Sequence, residues 1–118
     1  MTSSTAFRIS AAFGFFAVAL GAFGAHGLKD ALARNDTLAV WQTAAFYHLV
    51  HSAVMLAVAS CEPLRAWAWR LFAIGVVIFS GSLYALALSN VKILGAITPL
   101  GGVCLLAGWL ALARKGSG

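Results

Sequence analysis

The chain has 118 residues, of which 62% are hydrophobic and 9% charged, with a net charge of +5. Soluble domains run about 45–50% apolar and about 25% charged, so this composition, with a mean hydropathy of +0.93, excludes an ordinary soluble domain. Basic residues that flank spans account for the charge, and no nucleic-acid partner or soluble substrate is implied.

Four stretches lack Asp, Glu, Lys and Arg: 9–28, 37–61, 71–91 and 93–113. Each is long enough to cross about 30 Å of hydrocarbon as a helix, and none alternates as a barrel strand does. The expectation is an all-α integral membrane protein, a four-helix bundle with spans over 7–28, 38–61, 66–89 and 92–113. Residues 1–115 then form a single domain, and 116–118 read as a linker or tag remnant.

The first span follows Arg8 and exceeds the 7–15 apolar residues of a signal peptide, so it is read as retained. Ala17, Gly21 and Ala25 form a ladder of small residues, and Gly24 adds a further point of close approach. Such a ladder serves either packing inside one chain or a homo-oligomer interface. Gly27 is expected to cap the helix in the left-handed conformation. His26 stands at this outer end, and Leu28 to Arg34 suit a short interfacial helix.

Asp36 or Thr37 is expected to cap the second span, and Pro63 lies just beyond its end. With His48 set at zero and 100° per residue, Trp41, Ala44, Ala45, His51, Ser52, Met55 and Ala59 share one face. Phe46, Leu49, Val50, Val54 and Ala57 take the other. Small and polar groups belong between helices and bulky apolar ones toward lipid, so both histidines point inward, near mid-depth. The third span carries Ser80, Ser82 and Tyr84 and stops at Asn90. In the fourth, Pro99 removes a backbone donor opposite the Gly95 carbonyl, and Gly101 and Gly102 follow. This pattern reads either as a kink at a close helix contact or as a break lining a cavity. Gly21, Gly24, Gly95, Pro99, Gly101 and Gly102 are the helix-packing candidates.

Four spans place both termini on one side, with Arg8, Arg65, Arg70, Arg114 and Lys115 there and Lys29, Arg34 and Lys92 opposite. That bias puts the termini in the cytoplasm and the chain in the cell (inner) membrane, multi-pass. Trp67, Trp69 and Trp109 near inner ends, and Trp41 near an outer one, suit an aromatic belt.

"LGAFGAHGLKD" (20–30), "YHLVH" (47–51), "FSGSLYALALSN" (79–90) and "ITPLGGVCLLAGW" (97–109) resemble the YgdD/YwdK-like family of small membrane proteins. The resemblance runs from about Arg8 to Arg114. It implies four spans and unknown function, with no assigned activity or catalytic residue.

The residues themselves supply one candidate polar cluster: His26, His48, His51, Ser80, Ser82, Tyr84 and Thr98. It reads either as interhelical glue or, since ionisable groups inside a membrane mark function, as a site. The function expected is a structural or accessory membrane protein, with self-association one option. The alternative is small-molecule or ion binding and transport around His48, Tyr84 and Thr98. Asp30, Asp36 and Glu62 all fall in loops, which argues against proton coupling through an embedded carboxylate. His48 and His51 share one helix, a poor arrangement for haem, and nothing orients Ser52 with His48 as a nucleophile and base. No catalytic residue, metal or cofactor is assigned, and the partners implied are the lipid bilayer and, as an option, further copies of the chain in a homo-oligomer.

Overall fold

The computed structural model describes residues 1–114, which fold into helices without a strand. They comprise α1 (Ser3–Ala25), α2 (Lys29–Asn35), α3 (Leu38–Ala59) and α4 (Ala66–Ser89), then a 3₁₀ turn (Lys92–Ala96) and α5 (Thr98–Ala113). Three stretches are long and apolar enough to cross a bilayer: Ser3–Ala25, Ala66–Ser89 and Lys92–Ala113. At 22 residues α3 matches them in length, but Gln42, Tyr47, His48, His51 and Ser52 lower its hydropathy.

Helix ends depart from the sequence expectations where local bonds compete. The first helix begins earlier because Thr2 caps it, its Oγ1 accepting from the Thr5 N–H at 3.1 Å. It ends at Ala25, and the Leu28 N–H reaches back to the Phe23 carbonyl at 2.8 Å. Gly27 therefore does not supply the left-handed cap. Asp36 (φ 53°) and Asn90 (φ 60°) do so for α2 and α4, since Asp and Asn tolerate this region better than other side chains. Neither Asp36 nor Thr37 gives α3 the expected side-chain cap. The Thr37 hydroxyl instead donates to the Ala87 carbonyl at 2.7 Å. The fourth stretch is divided rather than continuous. Pro99 lies in the first turn of α5, where its missing N–H costs nothing.

Packing runs α1 on α3, α3 on α4, and α4 on α5; α1 and α5 do not form a packed pair among the described residues. The helices make a folded row with α3 and α4 at its centre. The molecule measures 48 × 25 × 18 Å, and the shortest dimension is about two helices thick at interaxial distances of about 8–10 Å. Ala6, Met55, Val58, Ala68, Trp69 and Phe72 are buried in one apolar cluster, while Leu32, Trp41 and Ala87 form a smaller one toward the other end. Phe15, Phe46, Val103 and Leu110 stand exposed, each above 60%, as faces turned to hydrocarbon must.

The α3 face follows the expected phasing: Trp41, Ala44, His48, His51, Ser52, Met55 and Ala59 are buried. The small residues of α1 serve this same seam. A Cβ at Gly21 would rest 4.0 Å from the Ala45 Cβ, and one at Gly24 would strike the Trp41 ring. Gly95 faces Leu86, where a Cβ would lie 3.3 Å from Cδ1. The tightest approach to a backbone is at Gly101, whose added Cβ would lie 2.7 Å from the Phe79 Cα. There α5 touches α4 backbone to backbone, and nothing flexible can yield. Gly101→Ala should lower stability by about 1–3 kcal/mol, the range for overpacking. Unfolding of the purified variant in mixed micelles measures this, with Gly81→Ala as the control because a Cβ there meets nothing within 4 Å.

Candidate functional site

The polar residues of the spans are joined in pairs across helix seams. His48 on α3 lies 2.9 Å through Nδ1 from the Tyr84 hydroxyl on α4. The Phe13 ring on α1 meets the His48 ring edge-on at 6.3 Å. Tyr84 in turn packs on Trp41 with ring centroids 4.6 Å apart. One turn of α4 away, the Ser80 hydroxyl donates to the Ala44 carbonyl at 2.8 Å. These contacts tie α1, α3 and α4 together.

His51 faces the other way. Its Nδ1 is 2.9 Å from the Tyr47 carbonyl, and the Trp109 indole Nε1–H of α5 donates to its Nε2 at 3.1 Å. An indole N–H can only donate, so Nε2 is the acceptor and Nδ1 carries the proton. The two partners thus assign the tautomer, and both ring nitrogens are satisfied. The α4–α5 seam has its own hydroxyl pair. Ser82 donates to the Phe79 carbonyl at 3.0 Å, and Ser82 and Thr98 stand 2.6 Å apart.

The seven residues expected in one cluster therefore divide. His48, Tyr84 and Ser80 hold α3 to α4; Ser82 and Thr98 join α4 to α5; His51 reaches α5. His26 is exposed at the end of α1, away from the others. Ser52 donates to the His48 carbonyl at 2.7 Å, a local bond that leaves no nucleophile aimed at a base.

Several working residues escaped the sequence reading. Three of the four tryptophans serve as crosslinks rather than as a belt. Besides Trp109, Trp69 donates to Ser10 Oγ at 2.8 Å and Trp41 to the Leu20 carbonyl at 2.8 Å; only Trp67, 63% exposed, fits the expected role. The obligate donor on an indole was the available signal. Asn35 donates to the Ala87 and Leu88 carbonyls at 3.0 and 3.2 Å. Arg65 donates to the Leu112 and Ala111 carbonyls at 2.9 and 2.8 Å. Both side chains satisfy carbonyls that a helix C-terminus leaves open, and the cation suits that end of the dipole.

Two recesses flank the central pair. One, about 280 Å³, lies between α1 and α4 and is lined by Phe13, Phe16, His48, Val76, Ser80 and Gly81 among others. The second, about 400 Å³, lies between α3 and α5. No group of three or more His, Cys, Asp or Glu comes together among the described residues.

Comparison with known proteins now bears on this architecture. A family model described as "Protein of unknown function (DUF423)" matches residues 20–102. A UPF0382 membrane protein of Staphylococcus epidermidis is 46% identical over 100 residues, covering 81% of each chain. YwdK of Bacillus subtilis, a UPF0382 membrane protein, is 43% identical over 103 residues, 81% of this chain and 82% of its own. The UPF0382 inner membrane protein YgdD of Escherichia coli is 39% identical over 128 residues, 98% of this chain and 97% of its own. The chain belongs to the DUF423 family. Its members named here are membrane proteins, and no biochemical role comes with the family. No solved structure matches the chain. For this DUF423 protein the matched region holds both α3 histidines, Tyr84 and Thr98, while Trp109 lies beyond it.

Among the described residues, the His51–Trp109 bond is the one polar side-chain link between α3 and α5, two helices that scarcely pack on each other. A double-mutant cycle of His51→Phe and Trp109→Phe should give a coupling of about 0.6 kcal/mol, and at most about 1.7, as for other interhelical bonds in membranes. Reversible unfolding in mixed micelles measures it. A coupling indistinguishable from zero would mean that the contact does not hold α5.

Proposed function

We propose that this protein is a four-span accessory protein of the cell (inner) membrane, with both termini in the cytoplasm and a structural rather than a chemical role. The observation that carries the reading is the state of its interior. Among the described residues, no buried side-chain nitrogen or oxygen lacks a hydrogen-bond partner. The polar groups are engaged in holding helices to one another.

The fourth span in this reading is α3. Its 22 residues reach about 33 Å at 1.5 Å per residue. The residues that lower its hydropathy include His48, His51 and Ser52, all turned inward, which fits a bilayer as solvent. The excess of cations on the terminal side, five against three, supports cytoplasmic termini. The name of the Escherichia coli relative, an inner membrane protein, supports the compartment. Packing within one chain is supported for α1 by Gly21 facing Ala45 and Gly24 facing Trp41 of α3. Binding or transport around His48, Tyr84 and Thr98 has weaker support. Those residues lie in two different seams, with their polar atoms bonded.

Cys61 is exposed in the short connection between α3 and α4, so it reports its side without an added probe. An impermeant maleimide should label Cys61 in inverted vesicles and leave it unlabelled in right-side-out ones. The reverse pattern would overturn the orientation. His48→Phe should cost about 0.6 kcal/mol of stability in the purified protein. Unchanged stability with loss of a cellular phenotype would favour a binding role over a structural one.

A further inference from the structure

The groove between α3 and α5 differs from the rest of the interior in one respect. Tyr47 lines it and is 39% exposed, and its hydroxyl makes no hydrogen bond to any described residue. The other spanning hydroxyls discussed above are all bonded. Tyr47 stands nine residues from one end of α3 and twelve from the other, about 14 and 18 Å at 1.5 Å per residue. On the proposed reading of α3 as the fourth span, on which this inference rests, it is close to mid-depth, where no water is available and an unpaired polar group is costly.

The surroundings of that hydroxyl restrict what can meet it. The groove holds about 400 Å³ and is lined by Tyr47, His51, Phe79, Pro99, Gly102 and Trp109, with aliphatic side chains of α5 between. None of these is a carboxylate, lysine or arginine, so the occupant is uncharged. His51 has both ring nitrogens engaged, which leaves Tyr47 as the free donor. Four rings line the groove, those of Tyr47, His51, Phe79 and Trp109: Tyr47 and Phe79 have centroids 4.6 Å apart, and the Tyr47 and His51 planes are within 8° of parallel. Such walls favour a flat ring. From Pro99 to Trp109 the groove runs about 15 Å along α5, room for a tail beyond the ring. Ordinary glycerolipids do not complete this site. Their ester carbonyls lie at the edge of the roughly 30 Å hydrocarbon layer, and only methylenes reach the depth of Tyr47.

We propose that the α3–α5 groove binds a neutral, carbonyl-bearing ring lipid of the isoprenoid-quinone type, with the Tyr47 O–H donating to a ring carbonyl. The ligand enters sideways from the bilayer, past Val103 and Leu106, which are 63% and 66% exposed. His51 is a positioning residue. Its bond to Trp109 sets the width of the groove, and its ring flanks that of Tyr47.

The test uses the full chain in phosphatidylcholine nanodiscs with an arylazido ubiquinone analogue, competed by decylubiquinone, and mass spectrometry of the labelled peptides. Label should fall on α3 and α5 and be displaced by decylubiquinone. Tyr47→Phe should weaken apparent affinity about tenfold, the scale of one hydrogen bond, with stability unchanged since the hydroxyl has no partner in the fold. Gly102→Leu should abolish labelling. A Cβ there meets only the Phe79 ring at 3.8 Å, so the larger side chain fits the backbone and fills the groove. Label that decylubiquinone does not displace would overturn the proposal. So would label mapping to the recess beside His48. Equal competition by dodecane, with no effect of Tyr47→Phe, would also defeat it, reducing the groove to a crevice for acyl chains.

Discussion

Hydrocarbon offers no hydrogen bond to a group that leaves water, and this constraint organises the whole molecule. Burying apolar surface cannot drive the helices together, because lipid tails are as apolar as leucine. What remains is close packing and the pairing of polar groups. The chain uses both at its two outer seams. Between α4 and α5 the backbone contact at Gly101 and Phe79 is joined by the Ser82–Thr98 pair. Between α1 and α3 the close approach at Gly24 is joined by the Trp41 indole on the Leu20 carbonyl. Small residues permit the approach, and one directional bond fixes the register.

The same constraint explains the helix ends. An open carbonyl at the C-terminus of a span has to be met before the chain re-enters water. Asn35 and Thr37, at the junction of α2 and α3, meet those of α4. Arg65, just before α4, meets those of α5. In both cases the residue preceding one helix closes the end of another. The connections therefore act as clamps at the two ends of the row, and short loops suffice.

How much of this was legible in the sequence depends on the kind of information needed. The buried face of α3 could be read because His48, His51 and Ser52 are polar residues in an apolar run, and 100° per residue places them together. Membrane character followed from the four charge-free stretches. Partners were less accessible. His48 meeting Tyr84 and His51 meeting Trp109 depends on the order of helices in space, and lipid-facing periodicity does not encode that order. One polar cluster is expected when residues at similar depth are taken to lie together. A folded row has several seams, so the same residues divide. The division of the last stretch was obscured for a related reason. Residues 93–113 lack charge throughout, so hydropathy draws one span where Pro99 starts a new helix. Gly27 shows the converse error: glycine permits a left-handed cap without requiring one.

A folded row also has a consequence that a closed bundle lacks. With α3 and α4 at the centre, each outer helix packs on the near member of the pair and leaves a recess toward the far one. The recess beside α1 has His48 and Ser80 in its wall, and both are tied to neighbouring helices. The recess beside α5 is larger, and its wall retains one hydroxyl, that of Tyr47, with no partner among the described residues. Packing alone does not account for this asymmetry. Pro99 begins α5 and Gly102 follows one turn later, so that helix presents little side-chain volume where it faces Tyr47. A phenylalanine at position 47 would pack equally well and leave no donor in the hydrocarbon. The hydroxyl therefore adds nothing to the fold, and its use is to be sought in what enters the groove.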